Sequence, residues 1–231
     1  MPVESLATIK RRIADACARS GRAPDDVLLV GASKTVSATR LLEFQAAGLA
    51  NFGENYVQEA LEKIGEFRAA GVIAHWHFIG ALQSNKAKVA VREFELIHSV
   101  DRLGLARELN REAARAGKIQ RVLLQINLGG ESTKAGASET EAPSLLEACL
   151  GMANLEVRGL MSLPPFEEDV EAMRPYHRRL REIRDQLRCQ YSLAPDRFAW
   201  LSMGMSHDFE IAIEEGATHV RIGTAIFGTR V

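Results

Sequence analysis

A lysine directly follows an uncharged run close to the start of the chain. Residues 27–33 read Val-Leu-Leu-Val-Gly-Ala-Ser, and Lys34 comes next. Such a short apolar run is typical of a strand buried in a parallel sheet. The amine of a lysine held at the end of that strand can attack a carbonyl and form an imine. A solvated lysine at a strand end is the commoner arrangement, so this segment alone leaves both interpretations open.

Two glycine-containing segments near the other end of the chain have the composition of a phosphate site. Residues 202–206 read Ser-Met-Gly-Met-Ser, and residues 221–225 read Arg-Ile-Gly-Thr-Ala. Glycine lets main-chain N–H groups approach an anion, and a helix starting at Ser206 would direct unpaired N–H groups at it. The alternative is that Gly204 and Gly223 only make turns and that Ser206 is an ordinary N-cap. An imine-forming lysine combined with a phosphate site describes pyridoxal phosphate.

Three histidines raise the question of a metal site. His75 and His77 share one face of a predicted strand, and His98 falls in the next strand. No carboxylate is spaced to complete a set of zinc ligands around them. We therefore interpret them as ordinary hydrogen-bonded histidines and expect no metal.

The elements that position these residues alternate between strand and helix. Eight short runs rich in apolar and β-branched residues predict strands at 27–33, 51–53, 75–80, 96–100, 121–128, 156–162, 198–203 and 219–223. Helical patterns lie between them, for example at 37–47, 55–70, 101–116 and 167–187. Eight such units favour an α/β fold of the (β/α)8 TIM-barrel type over an open doubly wound sheet. The reactive groups of such a barrel lie at the carboxyl ends of the strands, where Lys34 and both glycine segments fall.

The two ends of the chain complete the predicted barrel. Leu6, Ile9, Ile13 and Cys17 recur at helical spacing, which predicts an additional N-terminal helix ending near Gly21. Only eight residues follow the eighth predicted strand, so we expect a truncated last helix. The N-terminal helix would then cover that part of the wall. No linker or repeat divides the sequence, and we expect residues 1–231 to form a single domain.

The composition narrows the class of protein. The 231 residues include 29 Lys and Arg against 30 Asp and Glu, for a net charge of −1, without the basic surplus typical of nucleic-acid-binding proteins. No uncharged stretch approaches the roughly 18 apolar residues of a membrane span. Three cysteines at wide spacing fit neither a disulfide framework nor a zinc site, which favours a reducing cytoplasm. We expect a cytoplasmic protein that binds neither nucleic acid nor membrane.

Seven segments resemble the pyridoxal phosphate homeostasis proteins, single-domain relatives of the N-terminal barrel of alanine racemase. They are 32–35, 52–59, 77–80, 82–86, 158–161, 201–206 and 220–228. The resemblance runs nearly end to end, and several of the segments are long and specific, such as Phe-Gly-Glu-Asn-Tyr-Val-Gln-Glu at 52–59.

The resemblance implies a role for each of eight residues. Lys34 would hold pyridoxal phosphate as an imine, and Arg221 would face the pyridine nitrogen. The residues implied to help bind the phosphate are Ser202, Gly223 and Thr224. Those implied to line the ring pocket are Asn55, His77 and Met203. The family often has a second lysine two positions after the first, where this chain has Val36, whereas Lys134 matches a lysine on the rim of the barrel.

The implied function is a protein that holds pyridoxal phosphate and buffers or delivers it, with pyridoxal phosphate-dependent apo-enzymes as transient clients and without substantial turnover. An amino-acid racemase is the alternative. Racemases of the alanine type take a second base from a C-terminal β-domain, for which a chain ending at Val231 has no room, and this also favours a monomer. A class I aldolase usually carries its lysine on a late strand, and the predicted strand at 156–162 has no lysine.

Overall fold

Eight parallel strands close into a barrel in the computed structural model, which describes residues 1–129 and 135–228. The strands are β1 (Leu28–Ala32), β2 (Asn51–Glu54), β3 (His75–Phe78), β4 (Leu96–Val100), β5 (Gln120–Ile126), β6 (Leu155–Ser162), β7 (Trp200–Ser202) and β8 (His219–Ile222). Each strand pairs with the next along the chain, and β8 pairs with β1. The predicted TIM barrel is confirmed, with all eight strands near their expected positions.

Helices follow the strands around the outside of the barrel. They are α1 (Pro2–Arg19), α2 (Ala38–Ala46), α3 (Val57–Ala69), α4 (Ala87–Glu93), α5 (Leu103–Arg115), α6 (Ala142–Leu150), α7 (Arg174–Gln190), α8 (Phe209–Glu214) and α9 (Thr224–Phe227). Two predicted helix starts were wrong. The helix expected from residue 167 begins at Arg174, where Pro175 in its first turn needs no N–H partner. The helix expected from Ser206 begins at Phe209.

The N-terminal helix closes the wall where the last helix is short. Leu6, Ile9, Ile13 and Cys17 are buried on one face of α1. This face packs against α8 and α9, and α9 has only four residues. Both predictions about the ends of the barrel are therefore confirmed.

Alternation along the strands separates an apolar outer layer from a polar interior. Phe52 of β2 and Trp76 of β3 point outward and pack with Phe67 of α3, with ring centroids 5.2–5.5 Å apart. Their neighbours on the inward face include His77 and Arg221, both buried. The barrel interior thus contains a polar network that needs its own hydrogen-bond partners.

The described residues also bear on the expectations about membrane spans and disulfides. None of their helices combines the length and the apolar character that crossing a membrane requires. All three cysteines lie in the described part of the chain and are unpaired, with Cys17 and Cys149 buried and Cys189 exposed.

Candidate functional site

Three of the predicted site residues meet at the carboxyl ends of neighbouring strands. Lys34 lies two residues after β1, Asn55 one residue after β2, and Gly223 one residue after β8. Because β1 pairs with both β2 and β8, these loops are adjacent, and a Cβ atom on Gly223 would lie 3.2 Å from the carbonyl oxygen of Ala32. Lys34 is half-buried, and its Nζ makes no hydrogen bond or ion pair with a described residue. Its amine is therefore available to a ligand.

A buried ion cluster beside Lys34 holds the loop that carries it. Lys63 of α3 is 5% exposed, and its Nζ lies 2.8 Å from Glu54 Oε1 and 2.6 Å from Glu59 Oε1. The same ammonium donates to the carbonyl oxygen of Ser33 at 2.7 Å. The residue before Lys34 is thereby tied to the helix behind the barrel.

The residue after Lys34 is tied to the same cluster. Thr35 has a φ of +65°, in the left-handed region that a β-branched residue rarely adopts. Its N–H donates to Glu59 Oε1 at 2.5 Å, which stabilises that conformation. On the other side, the Ser33 hydroxyl donates to Glu54 Oε1 at 2.6 Å. Burial raises the pKa of Glu54 despite the nearby Lys63, so this carboxylate depends on its ionic partner.

Two buried side-chain oxygens lie at the mouth of the barrel, the opening formed by the carboxyl ends of the strands. Neither has a hydrogen-bond partner among the described residues. They are Asn55 Oδ1, after β2, and Ser162 Oγ, at the end of β6. The backbone of Asn55 is held close to the loop after β3, because a Cβ atom on Gly80 would lie 2.3 Å from the Asn55 carbonyl oxygen. Buried polar atoms without a partner are uncommon and indicate a ligand or an ordered water.

Arg221 supplies a buried cation to the site. Its NH1 donates to Ser202 Oγ at 2.5 Å and its NH2 donates to the carbonyl oxygen of Ser162 at 2.8 Å. No carboxylate within the described ranges forms an ion pair with it. Burial lowers the pKa of Arg221 to about 10, which is still well above neutral pH. The guanidinium therefore stays charged and can only donate.

The structure does not support direct contact between the Ser202 hydroxyl and a phosphate. Ser202 is fully buried, and its Oγ bonds to His98 Nδ1 at 2.8 Å as well as accepting from Arg221. The alternation of β7 turns this side chain into the barrel, so its hydroxyl orients Arg221 instead. Sequence reasoning could not identify His98 as its neighbour, because 104 residues separate them.

The turn after β7 brings a second serine to the mouth. Gly204 has a φ of +89°, and a Cβ atom there would lie 2.6 Å from the Cβ of Ala212, so the close approach to α8 requires glycine. This turn places Ser206 Oγ 3.3 Å from the backbone nitrogens of Gly223 and Ala225, which donate to it. Thr224, between them, is exposed at the start of α9. These groups form a set of donors that a phosphate could use.

A buried pair fixes the turn from behind. Asp208 Oδ1 accepts from the Met205 N–H at 2.7 Å, and Asp208 Oδ2 lies 2.8 Å from His177 Nε2. Burial alone would raise the pKa of Asp208, but the hydrogen bond with His177 and the other polar contacts outweigh it, so the pKa is lowered. The carboxylate remains charged and holds the turn in place.

The structure directs one predicted ring-pocket side chain, that of His77, away from this mouth and buries another, that of Met203. His77 Nε2 lies 3.3 Å from Asn51 Oδ1, and His77 lines a cavity at the amino-terminal end of the barrel. Asn51 is the first residue of β2, so the His77 side chain points toward the opposite end from Lys34. Met203 lies one residue after β7 and is fully buried against the apolar core. The assignment of His77 and Met203 to the ring pocket stays a prediction.

Three other expectations from the sequence concern a metal site, Val36 and Lys134. Among the described residues, no group of three or more His, Cys, Asp and Glu side chains could hold a metal ion. Val36, at the position of the family's second lysine, is half-buried and packs against the core. Lys134 lies outside the described residues.

Sequence reasoning missed Ser162 and Lys63 as site residues, and it placed Ser206 in the candidate phosphate segment only as the start of a helix. A usable signal existed for Ser162, since it is the last residue of the predicted strand at 156–162 and directly follows the segment 158–161. Lys63 carried no such signal, because it lies within the otherwise ordinary helix α3.

A family model described as alanine racemase, N-terminal domain, matches residues 5–231. The pyridoxal phosphate homeostasis protein of Aquifex aeolicus (strain VF5) is 47% identical over 227 residues, covering 98% of this chain and 97% of that protein. The structure of PipY from Synechococcus elongatus PCC7942 with PLP bound is similar with a TM-score of 0.85 and 36% identity, covering 99% and 100% of the two chains.

A more distant similarity concerns the fold alone. An alanine racemase of Clostridium difficile 630 has a TM-score of 0.72 at 14% identity, over 98% of this chain and 57% of the racemase chain. The near-complete coverage by relatives of much higher identity settles the family. The chain belongs to the pyridoxal phosphate homeostasis protein family, whose barrel is of the alanine racemase N-terminal type.

Proposed function

We propose that this protein holds pyridoxal phosphate through a covalent bond to Lys34 Nζ and buffers or delivers the cofactor within the cell. The observation that carries the proposal is the convergence of complementary groups at one mouth of the barrel. A lysine amine without a partner lies beside the N–H groups around Gly223, above a buried Arg221 that has no ion pair in the described chain. These groups suit an aldehyde that also carries a phosphate and a ring nitrogen. The PLP-bound structure of PipY supports the assignment.

Each part of the cofactor has candidate partners in this chain. Lys34 supplies the amine for the aldehyde. The phosphate would take hydrogen bonds from the Ser206 and Thr224 hydroxyls and from the N–H groups of Gly223 and Ala225. Asn55 Oδ1, buried and without a described partner, would face a donor on the cofactor. Ser202 acts as a positioning residue, since it holds the guanidinium that would face the ring nitrogen.

The same arrangement favours a carrier over an enzyme. When bound, pyridoxal phosphate supplies an electron sink for a carbanion, provided that its pyridine nitrogen is protonated. Arg221 is charged and donates to two oxygens, so it cannot accept that proton and disfavours a second positive charge beside it. We therefore propose a protein without substantial turnover rather than a racemase-like enzyme.

The biological setting is part of the proposal. The clients would be pyridoxal phosphate-dependent apo-enzymes, which the protein would contact transiently in the cytoplasm. The protein would act as a monomer, with residues 1–231 forming one domain. Three unpaired cysteines support a reducing compartment. The net charge of −1 supports small-molecule and protein partners over nucleic acid.

Loss of a phosphate contact should weaken cofactor binding selectively. Ser206→Ala and Thr224→Val each remove a hydrogen bond to a charged acceptor, worth roughly 1.5–3 kcal/mol, so we expect about ten- to a hundred-fold weaker binding of pyridoxal phosphate. Equilibrium dialysis measures the affinity. Pyridoxal, which lacks the phosphate, is the matched control ligand, and its affinity should change less than about twofold. Equal losses for both ligands would contradict the phosphate assignment.

The carrier proposal is tested by proton exchange at the α-carbon of amino acids. We expect the protein loaded with pyridoxal phosphate to show no appreciable α-deuterium exchange in deuterium oxide, measured by NMR on a panel of amino acids. Arg221→Glu, which replaces the donor with a carboxylate able to hold a proton at the ring nitrogen, should raise the rate if it folds. Rapid exchange by the unmodified protein that disappears in Lys34→Ala would overturn the carrier proposal in favour of the racemase-like enzyme.

A further inference from the structure

A cavity of about 720 Å³ opens at the amino-terminal end of the barrel, opposite the cofactor site. Its apolar wall includes Leu28, Leu96 and Trp200, and it reaches His77 and His219 inside the barrel. This end of a βα barrel usually serves stability rather than chemistry. A concave and largely apolar space with a few converging polar groups is nevertheless the usual form of a small-molecule site.

Two polar groups that line the cavity lack partners among the described residues. His219 is 5% exposed, and its Nδ1 lies 2.8 Å from Thr218 Oγ1, whereas its Nε2 has no hydrogen bond to the described chain. Asn51 accepts from His77 through Oδ1, and its Nδ2 likewise has no described partner. An imidazole nitrogen and an amide N–H are therefore available to a ligand that carries both a donor and an acceptor.

The charges around the cavity select against anions. The Arg22 guanidinium donates to the carbonyl oxygens of Ile213, Ala217 and Asp26, and Arg121 pairs with Glu156 through Nε at 3.2 Å. The carboxylates of Asp25, Asp26 and Glu95 also line the opening. The nearest partner of Glu95 is the imidazole of His75, at 2.6 Å. A phosphate or carboxylate ligand would meet net negative charge here, whereas a neutral heteroaromatic ring would not.

A column of hydrogen bonds connects this cavity to the cofactor site. It runs from Arg221 to Ser202 Oγ (2.5 Å), from Ser202 to His98 Nδ1 (2.8 Å), from His98 Nε2 to His77 Nδ1 (3.0 Å), and from His77 Nε2 to Asn51 Oδ1 (3.3 Å). Its direction follows from its two ends, because arginine only donates and an amide oxygen only accepts. Each imidazole then carries its proton on Nε2, and every member donates toward the cavity.

The histidines in the column are neutral, as this direction requires. Burial is the main cause that lowers the pKa of His77 to about 3 and the pKa of His98 well below its usual value. Burial likewise lowers the pKa of His219, which lines the cavity outside the column, to about 3. Bonds in such a chain polarise one another. A ligand that accepts from Asn51 Nδ2 makes Oδ1 a stronger acceptor, and the effect propagates to the Ser202 oxygen that holds Arg221.

We propose that the amino-terminal cavity binds a small, planar, uncharged heteroaromatic ligand, and that its occupancy strengthens cofactor binding through the column from Asn51 to Arg221. The coupling part of the proposal rests on the proposed function, whereas the site itself does not. Nicotinamide is a suitable probe because its ring and its amide match the available groups. Nicotinate has the same ring with a carboxylate and is the matched anionic control.

The site is tested by NMR of the two tryptophan indoles. The chain has two tryptophans, and Trp76 packs with Phe52 and Phe67 outside the barrel, so Trp76→Phe assigns both signals. We expect nicotinamide to shift the Trp200 indole N–H signal with a Kd of about 1 mM or tighter, and nicotinate to bind at least about tenfold more weakly. His219→Phe should remove the response, whereas His207→Phe, an exposed ring elsewhere, should keep it.

Either of two results would contradict the proposed site. One is that nicotinamide shifts the NMR signals of both indoles together, and the other is that nicotinamide and nicotinate bind equally. Should His219→Phe fail to fold, Asn51→Leu replaces it, with the same loss of response expected. These outcomes are independent of pyridoxal phosphate, so they decide the site even if the proposed function fails.

The coupling is tested by the affinity for pyridoxal phosphate. With saturating nicotinamide we expect about fivefold tighter binding of pyridoxal phosphate, and reciprocally about fivefold tighter binding of nicotinamide to the loaded protein. Ser202→Ala interrupts the column but does not touch the cavity. It should keep the Trp200 response and reduce the coupling to less than about twofold. An unchanged affinity in the unmodified protein, or full coupling in Ser202→Ala, would overturn the role of the column.

Discussion

Lys34→Ala is expected to abolish covalent attachment of pyridoxal phosphate. Lys34 lies at the carboxyl end of β1, and its amine makes no hydrogen bond or ion pair with a described residue, so nothing competes with an incoming aldehyde. Borohydride reduction of the loaded protein, followed by peptide mass spectrometry, should find the cofactor on Lys34. The variant should lose both the trapped adduct and the absorption band of the bound form. Weaker noncovalent binding should persist, because the contacts to the phosphate remain.

The matched control is Lys86→Ala. Lys86 lies in a depression after β3 that Asn55 also lines, so it is a nearby alternative nucleophile without the adjoining phosphate donors. This variant should keep full trapping on Lys34. Recovery of the adduct on Lys86, on Lys134 or on any other lysine, with Lys34 unmodified, would contradict the site and with it the proposed function.

Much of the fold follows from local pattern. The run before Lys34 and its seven counterparts marked the strands, and the helical spacing of Leu6, Ile9 and Ile13 marked α1, because burial on one face imposes a period on the sequence. Closure of the barrel then placed Lys34 beside Gly223, since the first and last strands of a closed barrel pair. The carboxyl-end rule was sufficient to bring those residues together.

The orientation of polar side chains inside the barrel did not follow from local pattern. Ser202 and His77 lie near the carboxyl ends of their strands, where the sequence predicts the site. The Ser202 side chain nevertheless bonds to His98 across the barrel, and the His77 side chain bonds to Asn51 at the start of β2. A strand buried on both faces lacks the apolar and polar alternation that would show which residues point inward. Such contacts depend on shear and register, which only the closed structure defines.

Lys63→Met is expected to destabilise the fold by about 3–5 kcal/mol, because it leaves a buried carboxylate without its cation. Glu54 is fully buried, and Lys63 Nζ is 2.8 Å from it. The loop that carries Lys34 should loosen as well, since Lys63 also holds the Ser33 carbonyl oxygen. Urea denaturation measures the stability, and the yield of borohydride trapping on Lys34 measures the loop. Lys88→Met, at an exposed position on α4, is the control and should change stability by less than about 0.5 kcal/mol.

The charge of Glu54, rather than lost packing, should account for most of the stability that Lys63→Met loses. Burial raises the pKa of Glu54 even with Lys63 present, so removal of the ammonium should raise it further. A group whose pKa is higher in the folded state stabilises the fold as the pH falls, so the stability deficit of Lys63→Met relative to the unmodified protein should shrink as the pH is lowered from neutral. Adding Glu54→Gln to Lys63→Met should recover stability at pH 7.5 and remove that pH dependence. A loss in Lys63→Met that is independent of pH and is not relieved by Glu54→Gln would instead show that Lys63 acts through the packing of its aliphatic chain.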